Sequence, residues 1–343
     1  MAVFYFFAAI VIWLGILSVR DGIRYARFVR SESAKPPSSF SPFASIIAPC
    51  RGLDQGLREN LSALFRQDYP AYEIIFVTDN VDDPSLSLIR EVEGSEAIAS
   101  RIPTRMIVAG DATDRGQKVH NLSVAVGEIN PQSQVLVFVD TDARPSRRWL
   151  RSLVAPLSDA GIGAATGYRW FIPVRGGLAS HLRSVWNASI ASALGPNVNK
   201  NFCWGGSTAI RRDTFERLNI RKHWQGTVSD DFTVTRVLKT ARLPIQFVPQ
   251  CLTPSLEDCT AGELFEFTTR QLKITRAYAA HLWKTVLVGG LLFNLVFFGG
   301  IVLVSIRIAL GLPFIIPLLL LVLIFVLGAS KSFLCMIAVV VPM

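Results

Sequence analysis

Apolar residues are concentrated at the two ends of the chain. No charged side chain occurs between residues 2 and 19, and beyond residue 286 the only charges are Arg307 and Lys331. A helix needs about 20 apolar residues to cross the roughly 30 Å core of a bilayer. The first run therefore predicts one transmembrane helix. The second run is long enough for two or three, divided at 286–306, 312–330 and 332–343.

Between these ends, short apolar runs alternate with amphipathic stretches. The runs that predict buried strands are 43–49, 73–78, 105–110 and 135–140. Helical periodicity marks the segments between and after them, which are 56–66, 84–98, 117–129 and a stretch from Ser146 onwards. Strict alternation of this kind predicts βαβ units, and hence an α/β fold with a mostly parallel sheet covered on both faces. Neither a G-x-G-x-x-G nor a P-loop motif accompanies the strands, so a dinucleotide-binding fold and a P-loop enzyme are not predicted.

Positive charge follows the first apolar run and none precedes it. Arginines recur at helical spacing at positions 20, 24, 27 and 30. This order predicts an uncleaved anchor rather than a signal peptide, and the positive-inside rule places the segment after it in the cytoplasm. The protein is thus expected in a bacterial inner membrane, or on the cytosolic face of an internal membrane of a eukaryote. The net charge of +9 is assigned to anionic headgroups rather than to nucleic acid, because no nucleic-acid-binding signature accompanies it.

The chain divides into five predicted segments. They are an anchor (1–19), a basic juxtamembrane segment with a Pro/Ser-rich linker (20–42), a cytosolic domain (43–261), an amphipathic interfacial helix (262–284) and a C-terminal transmembrane region (285–343). In the fourth segment Arg270, Lys273 and Arg276 share one helical face among apolar residues, a pattern suited to the headgroup boundary or to membrane anchoring alone. Sequons at Asn60, Asn121 and Asn187 are expected to stay unglycosylated in a cytoplasmic domain and so to report its topology.

Polar residues follow the predicted strands. Pro49 and Arg51 come after the first strand, Asp79 after the second, and Asp140 and Asp142 after the fourth. Ligands of such sheets bind beyond the carboxyl ends of the strands, so we expect these residues to lie at one edge. Two carboxylates there would repel each other unless a divalent cation joined them, and Mg²⁺ takes one or two carboxylates together with phosphate oxygens. The alternative for these aspartates is a helix N-cap.

Other candidates lie further along the chain. Lys118 is expected either to neutralise a phosphate or to start a solvated helix, and Asp79 either to bind a ribose or base edge or to form a turn. Gly205 and Gly206 indicate a close approach of the backbone or a tight turn. Asp230 and Asp231 begin a helical pattern, where one acid can cap the helix and leave the other to act as a base.

Taken in order, the motifs resemble those of family 2 glycosyltransferases of the GT-A fold. The match runs through Pro49-x-Arg51, Asp79, Lys118, Asp140-x-Asp142, Gly205-Gly206 and Ser229-Asp230-Asp231. With its membrane segments, the chain resembles ceramide glucosyltransferase and its bacterial relatives over about residues 1–300. The resemblance implies binding of a UDP-sugar by this set, with Asp79 at the uridine. It also implies that Asp140 and Asp142 hold Mg²⁺ or Mn²⁺, with Asp142 as the more direct ligand, and that Asp231 is the base.

The family's last motif, (Q/R)-x-x-R-W, is altered here. Arg270, Lys273 and Ile274 stand in its place, so Lys replaces Arg and Ile replaces Trp. Lys can supply charge to a diphosphate but no bidentate fork, and Ile cannot stack on a sugar. Arg270 and Lys273 are therefore expected to bind the diphosphate.

The activity that the resemblance implies is an inverting transfer of a hexose, first of all glucose, from a UDP-sugar to a membrane lipid hydroxyl of ceramide or diacylglycerol type, in glycolipid or sphingolipid metabolism. The alternatives are a processive polysaccharide synthase, a polyprenyl-phosphate sugar synthase and a non-catalytic scaffold that binds a nucleotide sugar.

Overall fold

The computed structural model describes residues 1–36, 38–100 and 102–340, with side chains for all of these except 97–100 and 337–340. Position 37 of the predicted linker and positions 341–343 of the predicted C-terminal region lie outside the described residues. Two compact units are present: the two ends of the chain form one, and residues 29–260 form the other.

The strands are β1 (Ala44–Pro49), β2 (Tyr72–Thr78), β3 (Thr104–Val108), β4 (Val135–Val139), β5 (Ala164–Ile172), β6 (Ser207–Arg211) and β7 (Ile245–Leu256). The helices are α1 (Ala2–Ser33), α2 (Leu57–Phe65), α3 (Ser85–Ser100), α4 (Gln117–Gly127), α5 (Trp149–Val154), α6 (Leu178–Ala191), α7 (Arg212–Arg217), α8 (Ile220–His223), α9 (Asp230–Thr240), α10 (Ala261–Tyr278), α11 (Ala280–Ala309) and α12 (Ile315–Val340). A short 3₁₀ turn, Ala155–Ser158, follows α5.

The middle unit is built on one seven-stranded sheet with the order β3-β2-β1-β4-β6-β5-β7. The first four strands of this order are mutually parallel, β6 is antiparallel to both of its neighbours, and β5 and β7 are parallel. The predicted α/β fold with a mostly parallel sheet is confirmed, and all four predicted strands are present. The antiparallel β6 matters for the site, because it begins at the edge of the sheet where β4 ends.

Successive side chains of the central strands contribute alternately to two hydrophobic layers, one on each face of the sheet. Ile46 of β1 packs on one face with residues of α2, α3 and α5, while Ile47 packs on the other with residues of α4 and α9. Val137 and Phe138 of β4 divide in the same way. Because successive side chains of a strand point to opposite faces, a sheet covered on both sides needs continuous apolar strands, and these are the runs that the sequence shows.

Among the described residues, the unit formed by the chain ends contains three helices that are long and apolar enough to cross a membrane. These are α1, α11 and residues Ile315–Met336 of α12. Ala8, Val296 and Ile324, one from each helix, are buried together. A Cβ on Gly300 would lie 2.6 Å from Leu321 Cδ2, so the small residue permits close helix packing.

Three predicted boundaries in this unit are corrected. Residues 332–340 of the predicted last segment are not a separate span, because they belong to α12, which continues to Val340 without a break. The helix predicted for 262–284 ends at Tyr278, since Ala279 leaves helical geometry with φ −141° and ψ 57° before α11 begins, and its interfacial role stays a prediction. At the N-terminus, α1 continues through the basic segment to Ser33, because arginines at helical spacing favour the continuation of the helix into water.

Candidate active site

Two strand ends meet beside the D-x-D sequence. Asp140 and Asp142 directly follow β4, and the antiparallel β6 begins alongside at Ser207. The Asp140 amide donates a hydrogen bond to the Gly206 carbonyl at 3.4 Å. The pairing of β6 with β4 therefore places the Gly205–Gly206 backbone beside the acids that follow β4.

Gly205 and Gly206 are the central residues of a tight turn, in which the Ser207 amide donates to the Trp204 carbonyl at 3.0 Å, and they also permit a close approach. A Cβ on Gly205 would collide with Asp230 Oδ2 and lie 3.0 Å from Lys118 Nζ. A Cβ on Gly206 would lie 2.8 Å from Asp140 Oδ2 and would collide with the ring of Trp204. Neither glycine has a positive φ, so the close contacts, rather than the backbone conformation of the turn, require glycine at these positions.

Lys118, in the first turn of α4, connects the two acidic motifs. Its Nζ lies 2.6 Å from Asp140 Oδ1 and 3.6 Å from Asp230 Oδ1. Burial lowers the pKa of Lys118, but the two carboxylates outweigh burial and hold that pKa above its ordinary value. Lys118 thus lies at a helix start, as the alternative expects, but its partly exposed side chain bridges two carboxylates rather than contacting solvent alone.

Asp230 and Asp231 have different surroundings. Ser229 is the N-cap of α9 and accepts from the Phe232 amide at 3.3 Å, so Asp230 does not serve as the cap. Asp230 is 7% exposed, and burial raises the pKa of its carboxyl to about 6 although Lys118 opposes this. Asp231 is half-buried, and its Oδ1 accepts from the Phe232 amide at 2.7 Å and from the Ser229 hydroxyl.

Arg169 of β5 is also part of the site, although it was not predicted from the sequence. Its Nη1 donates to Asp142 Oδ2. Its Cζ lies 4.8 Å from the ring centre of Phe171 and 5.6 Å from that of Trp204. Burial lowers the pKa of Arg169, but Asp142 and Asp140 together raise it. An arginine inside an otherwise apolar strand is seldom buried without an acidic partner, and that signal could have identified it.

The alternative role for the D-x-D acids, an N-cap, is not supported. The following helix, α5, begins at Trp149 and has Arg148 as its N-cap. Instead, Asp142 Oδ1 is buried and has no hydrogen-bond partner among the described residues. That orphaned oxygen is consistent with a ligand position for a cation.

The donor set tests whether a divalent cation fits. Among the described residues, no group of three or more His, Cys, Asp or Glu side chains could hold a metal ion. The site offers two carboxylates, both with oxygen donors only. Such a set suits Mg²⁺ or Mn²⁺ when phosphate oxygens and water complete the coordination. The residues therefore fit a metal–diphosphate better than a metal alone.

Pro49, Arg51 and Asp79 lie at or just after the ends of β1 and β2, the neighbours of β4 on one side of the sheet. The Pro49 carbonyl accepts from Thr141 Oγ1 at 3.3 Å, which ties the end of β1 to the D-x-D turn. Asp79 lies at the end of β2 and accepts from Thr78 Oγ1 at 3.4 Å, while Arg51 is exposed. Arg270 and Lys273 are exposed on α10, in the unit formed by the chain ends, and their role at the diphosphate stays a prediction.

The fold and the acidic edge define the class of protein as a glycosyltransferase with a nucleotide-sugar-binding GT-A fold. The chain belongs to glycosyl transferase family 21, whose sequence profile matches residues 3–338. The family number thus differs from the family 2 of the sequence resemblance, although the fold class is the same.

Two known proteins are similar to this chain. Glycosyltransferase AglE of Haloferax volcanii is 23% identical over 145 residues, which are 42% of this chain and 44% of AglE. The chain thus matches less than half the length of that curated relative. The mannosyltransferase PcManGT of Pyrobaculum calidifontis, solved in complex with GDP-Man and Mn²⁺, is 17% identical with a TM-score of 0.55 over 98% of both chains. This second likeness shows the fold alone.

Proposed function

We propose that the protein is an inverting glycosyltransferase that moves a hexose, most simply glucose, from a UDP-sugar to the hydroxyl of a membrane lipid of ceramide or diacylglycerol type. The observation that carries the proposal is the clustering of Lys118, Asp140 and Asp230 at the carboxyl edge of the sheet, with Asp231 beside them. Membership of family 21 and three helices able to cross a membrane support a membrane-bound transferase.

Donor binding is assigned to the edge of the sheet. Pro49, Arg51 and Asp79 would contact the nucleoside, since they follow β1 and β2. The Gly205–Gly206 backbone would contact the sugar and phosphates, because only glycine leaves room there. Lys118 would hold Asp140 in place and contribute positive charge toward the diphosphate.

Asp140 and Asp142 would hold Mg²⁺ or Mn²⁺, the latter being present in the PcManGT complex. When bound, the ion supplies positive charge that stabilises a leaving diphosphate. Two basic residues orient these acids for metal binding: Lys118 orients Asp140, and Arg169 orients Asp142.

Asp231 is proposed to accept the proton of the acceptor hydroxyl. Both hydrogen bonds to its carboxylate within the described residues end on Oδ1, so Oδ2 is the oxygen that can take the proton. The hydroxyl oxygen attacks the anomeric carbon as the diphosphate leaves from the opposite side, and a single displacement of this kind inverts the configuration. Arg270 and Lys273 are proposed to bind the diphosphate. Ile274 leaves that segment without the family's Trp ring.

The test is sugar transfer by the purified full chain in lipid. UDP-glucose, UDP-galactose and GDP-mannose are offered with Mn²⁺ and a mixed lipid extract, and the lipids are analysed by mass. Asp231→Asn is compared with Asp213→Asn, a matched control in the first turn of α7 whose Oδ1 accepts from the next amide at 2.5 Å, as Oδ1 of Asp231 does.

A glycolipid made by the wild type and the control, but not by Asp231→Asn, supports the proposal and identifies donor and acceptor. Equal product from Asp231→Asn would remove Asp231 from the role of base. Nucleotide binding without product from any donor would favour the scaffold. A polymer or a polyprenyl-phosphate sugar as product would favour the other two alternatives.

A further inference from the structure

Each acid of the D-x-D sequence has its own internal cation. Lys118 Nζ lies 2.6 Å from Asp140 Oδ1, and Arg169 Nη1 donates to Asp142 Oδ2. The two positive charges come from elements that are distant in sequence, the start of α4 and the middle of β5. A divalent cation that binds Asp142 Oδ1 therefore shares this carboxylate with the Arg169 guanidinium on Oδ2.

Arg169 is held in its place from several sides. Its guanidinium packs over Phe171 and Trp204, and its carbonyl accepts from Asn187 Nδ2 at 2.7 Å. The side chain is only 14% exposed. A guanidinium clamped in this way stays near Asp142 rather than moving away into water, so its charge acts on any ion that approaches the acids.

We propose that Arg169 is an internal counter-ion of the Asp140–Asp142 pair that keeps its affinity for a free divalent cation low, so that the metal binds chiefly together with the donor diphosphate. Arg169 is a positioning residue in this role. The proposal rests on the proposed function only in requiring a diphosphate-bearing donor.

The reason is the charge balance. With Lys118 and Arg169 in place, each carboxylate of the pair already faces a positive charge, with Lys118 shared between Asp140 and Asp230 at 3.6 Å, and a lone divalent cation meets these two positive charges at short range. A diphosphate adds negative charge on the open side and restores the attraction. Removal of one positive charge a few ångströms from a partly buried ion changes binding by about 10- to 100-fold.

The test measures Mn²⁺ binding by electron paramagnetic resonance of free Mn²⁺, with and without UDP, on the full chain in lipid. Arg169→Gln is expected to bind Mn²⁺ alone at least about tenfold more tightly than the wild type. UDP should strengthen Mn²⁺ binding strongly in the wild type and much less in this variant. Arg169→Lys, which keeps the charge, should resemble the wild type.

Arg183→Gln is the matched control. Arg183 is also buried, and its Cζ lies 4.3 Å from the same Phe171 ring, but its partner is Glu257 at 3.4 Å and not Asp142. This variant should change Mn²⁺ binding much less than Arg169→Gln does, because it leaves the Arg169–Asp142 ion pair in place and alters only Glu257, which acts on that pair from further away.

Unchanged or weaker Mn²⁺ binding by Arg169→Gln would overturn the proposal and leave Arg169 only the task of holding Asp142. Should that variant not fold, the wild type still decides: Mn²⁺ binding that UDP fails to strengthen, or no Mn²⁺ binding at all, also overturns it. None of these readouts requires sugar transfer. A missing glycolipid product with intact coupling of Mn²⁺ and UDP would therefore count against the proposed function and not against this inference.

Discussion

The two acidic pairs of the site, Asp140–Asp142 and Asp230–Asp231, differ in what surrounds them. Both members of the first pair contact a cation, Lys118 or Arg169. In the second pair, Asp230 is buried near Lys118, whereas Asp231 is half-buried and held by a hydroxyl and an amide. A carboxylate held by neutral donors has no cation to displace before it accepts a proton. Carboxylates that already contact cations suit a site in which one cation is exchanged for another. The contrast supports the proposed division, with proton transfer at the second pair and charge exchange at the first.

The largest effect that would sharpen this contrast is expected from Asp231→Asn. Loss of a general base reduces kcat by about 10²–10⁴-fold, while nucleotide binding should persist because Asp231 does not contact Lys118. Steady-state rates and UDP titration measure the two quantities. A fall in UDP affinity as large as the fall in rate would place Asp231 in donor binding. It would contradict the proposed difference between the two acidic pairs.

The next effect concerns pH and Asp230. Because burial raises the pKa of its carboxyl from 3.8 to about 6 in the folded protein, the unfolded chain releases this proton first as the pH rises. Stability from this group is therefore present below about pH 4 and is lost as the pH rises to about 6, by at most about 3 kcal/mol.

Asp230→Asn should remove that dependence. Denaturation of the wild type and the variant, followed by near-ultraviolet circular dichroism between pH 4 and 7, measures it, with the exposed Asp82→Asn as control. Parallel stability curves for wild type and Asp230→Asn would show that Lys118 keeps the carboxyl charged throughout.

A smaller effect is expected from Gly205→Ala. The added methyl would collide with Asp230 and approach Lys118, so overpacking should destabilise the domain by about 1–3 kcal/mol and weaken UDP binding. Gly195→Ala is the matched control, since its Cβ would meet nothing within 4 Å and its φ is not positive. Equal stability of the two variants would mean that the acidic side chains can move aside at little cost in free energy. Close approach would then not explain the glycine pair.

The smallest effect is expected from Ser229→Ala. The change removes the N-cap of α9 and one of the two donors to Asp231, at a cost of about 0.5–2 kcal/mol. Thermal unfolding measures the cost, and kcat should fall less than in Asp231→Asn. Ser189→Ala, an exposed hydroxyl on α6, serves as the reference. A loss of kcat equal to that of Asp231→Asn would make Ser229 part of the proton path.

The sequons illustrate a limit of sequence interpretation. Asn60, Asn121 and Asn187 were expected to report topology, but they are 6%, 4% and 3% exposed. Asn60 Nδ2 donates to the Thr141 carbonyl at 3.0 Å and Asn187 Nδ2 to that of Arg169. A glycan needs an exposed asparagine, so these sites would stay bare in the folded domain on either side of a membrane. The motif is local, whereas burial is a property of the fold.

By itself the sequence determined the strands β1 to β4, the apolar helices, the acids after β4 and the acids at the start of α9, because hydrophobic periodicity and D-x-D spacing are local signals. Only the tertiary structure decided that Lys118 bridges Asp140 and Asp230, that Arg169 reaches Asp142, and why the chain has Gly205 and Gly206 there. These contacts depend on β6 entering the sheet antiparallel between β4 and β5. Strand order of that kind joins residues far apart in sequence, and no periodicity within a single segment encodes it.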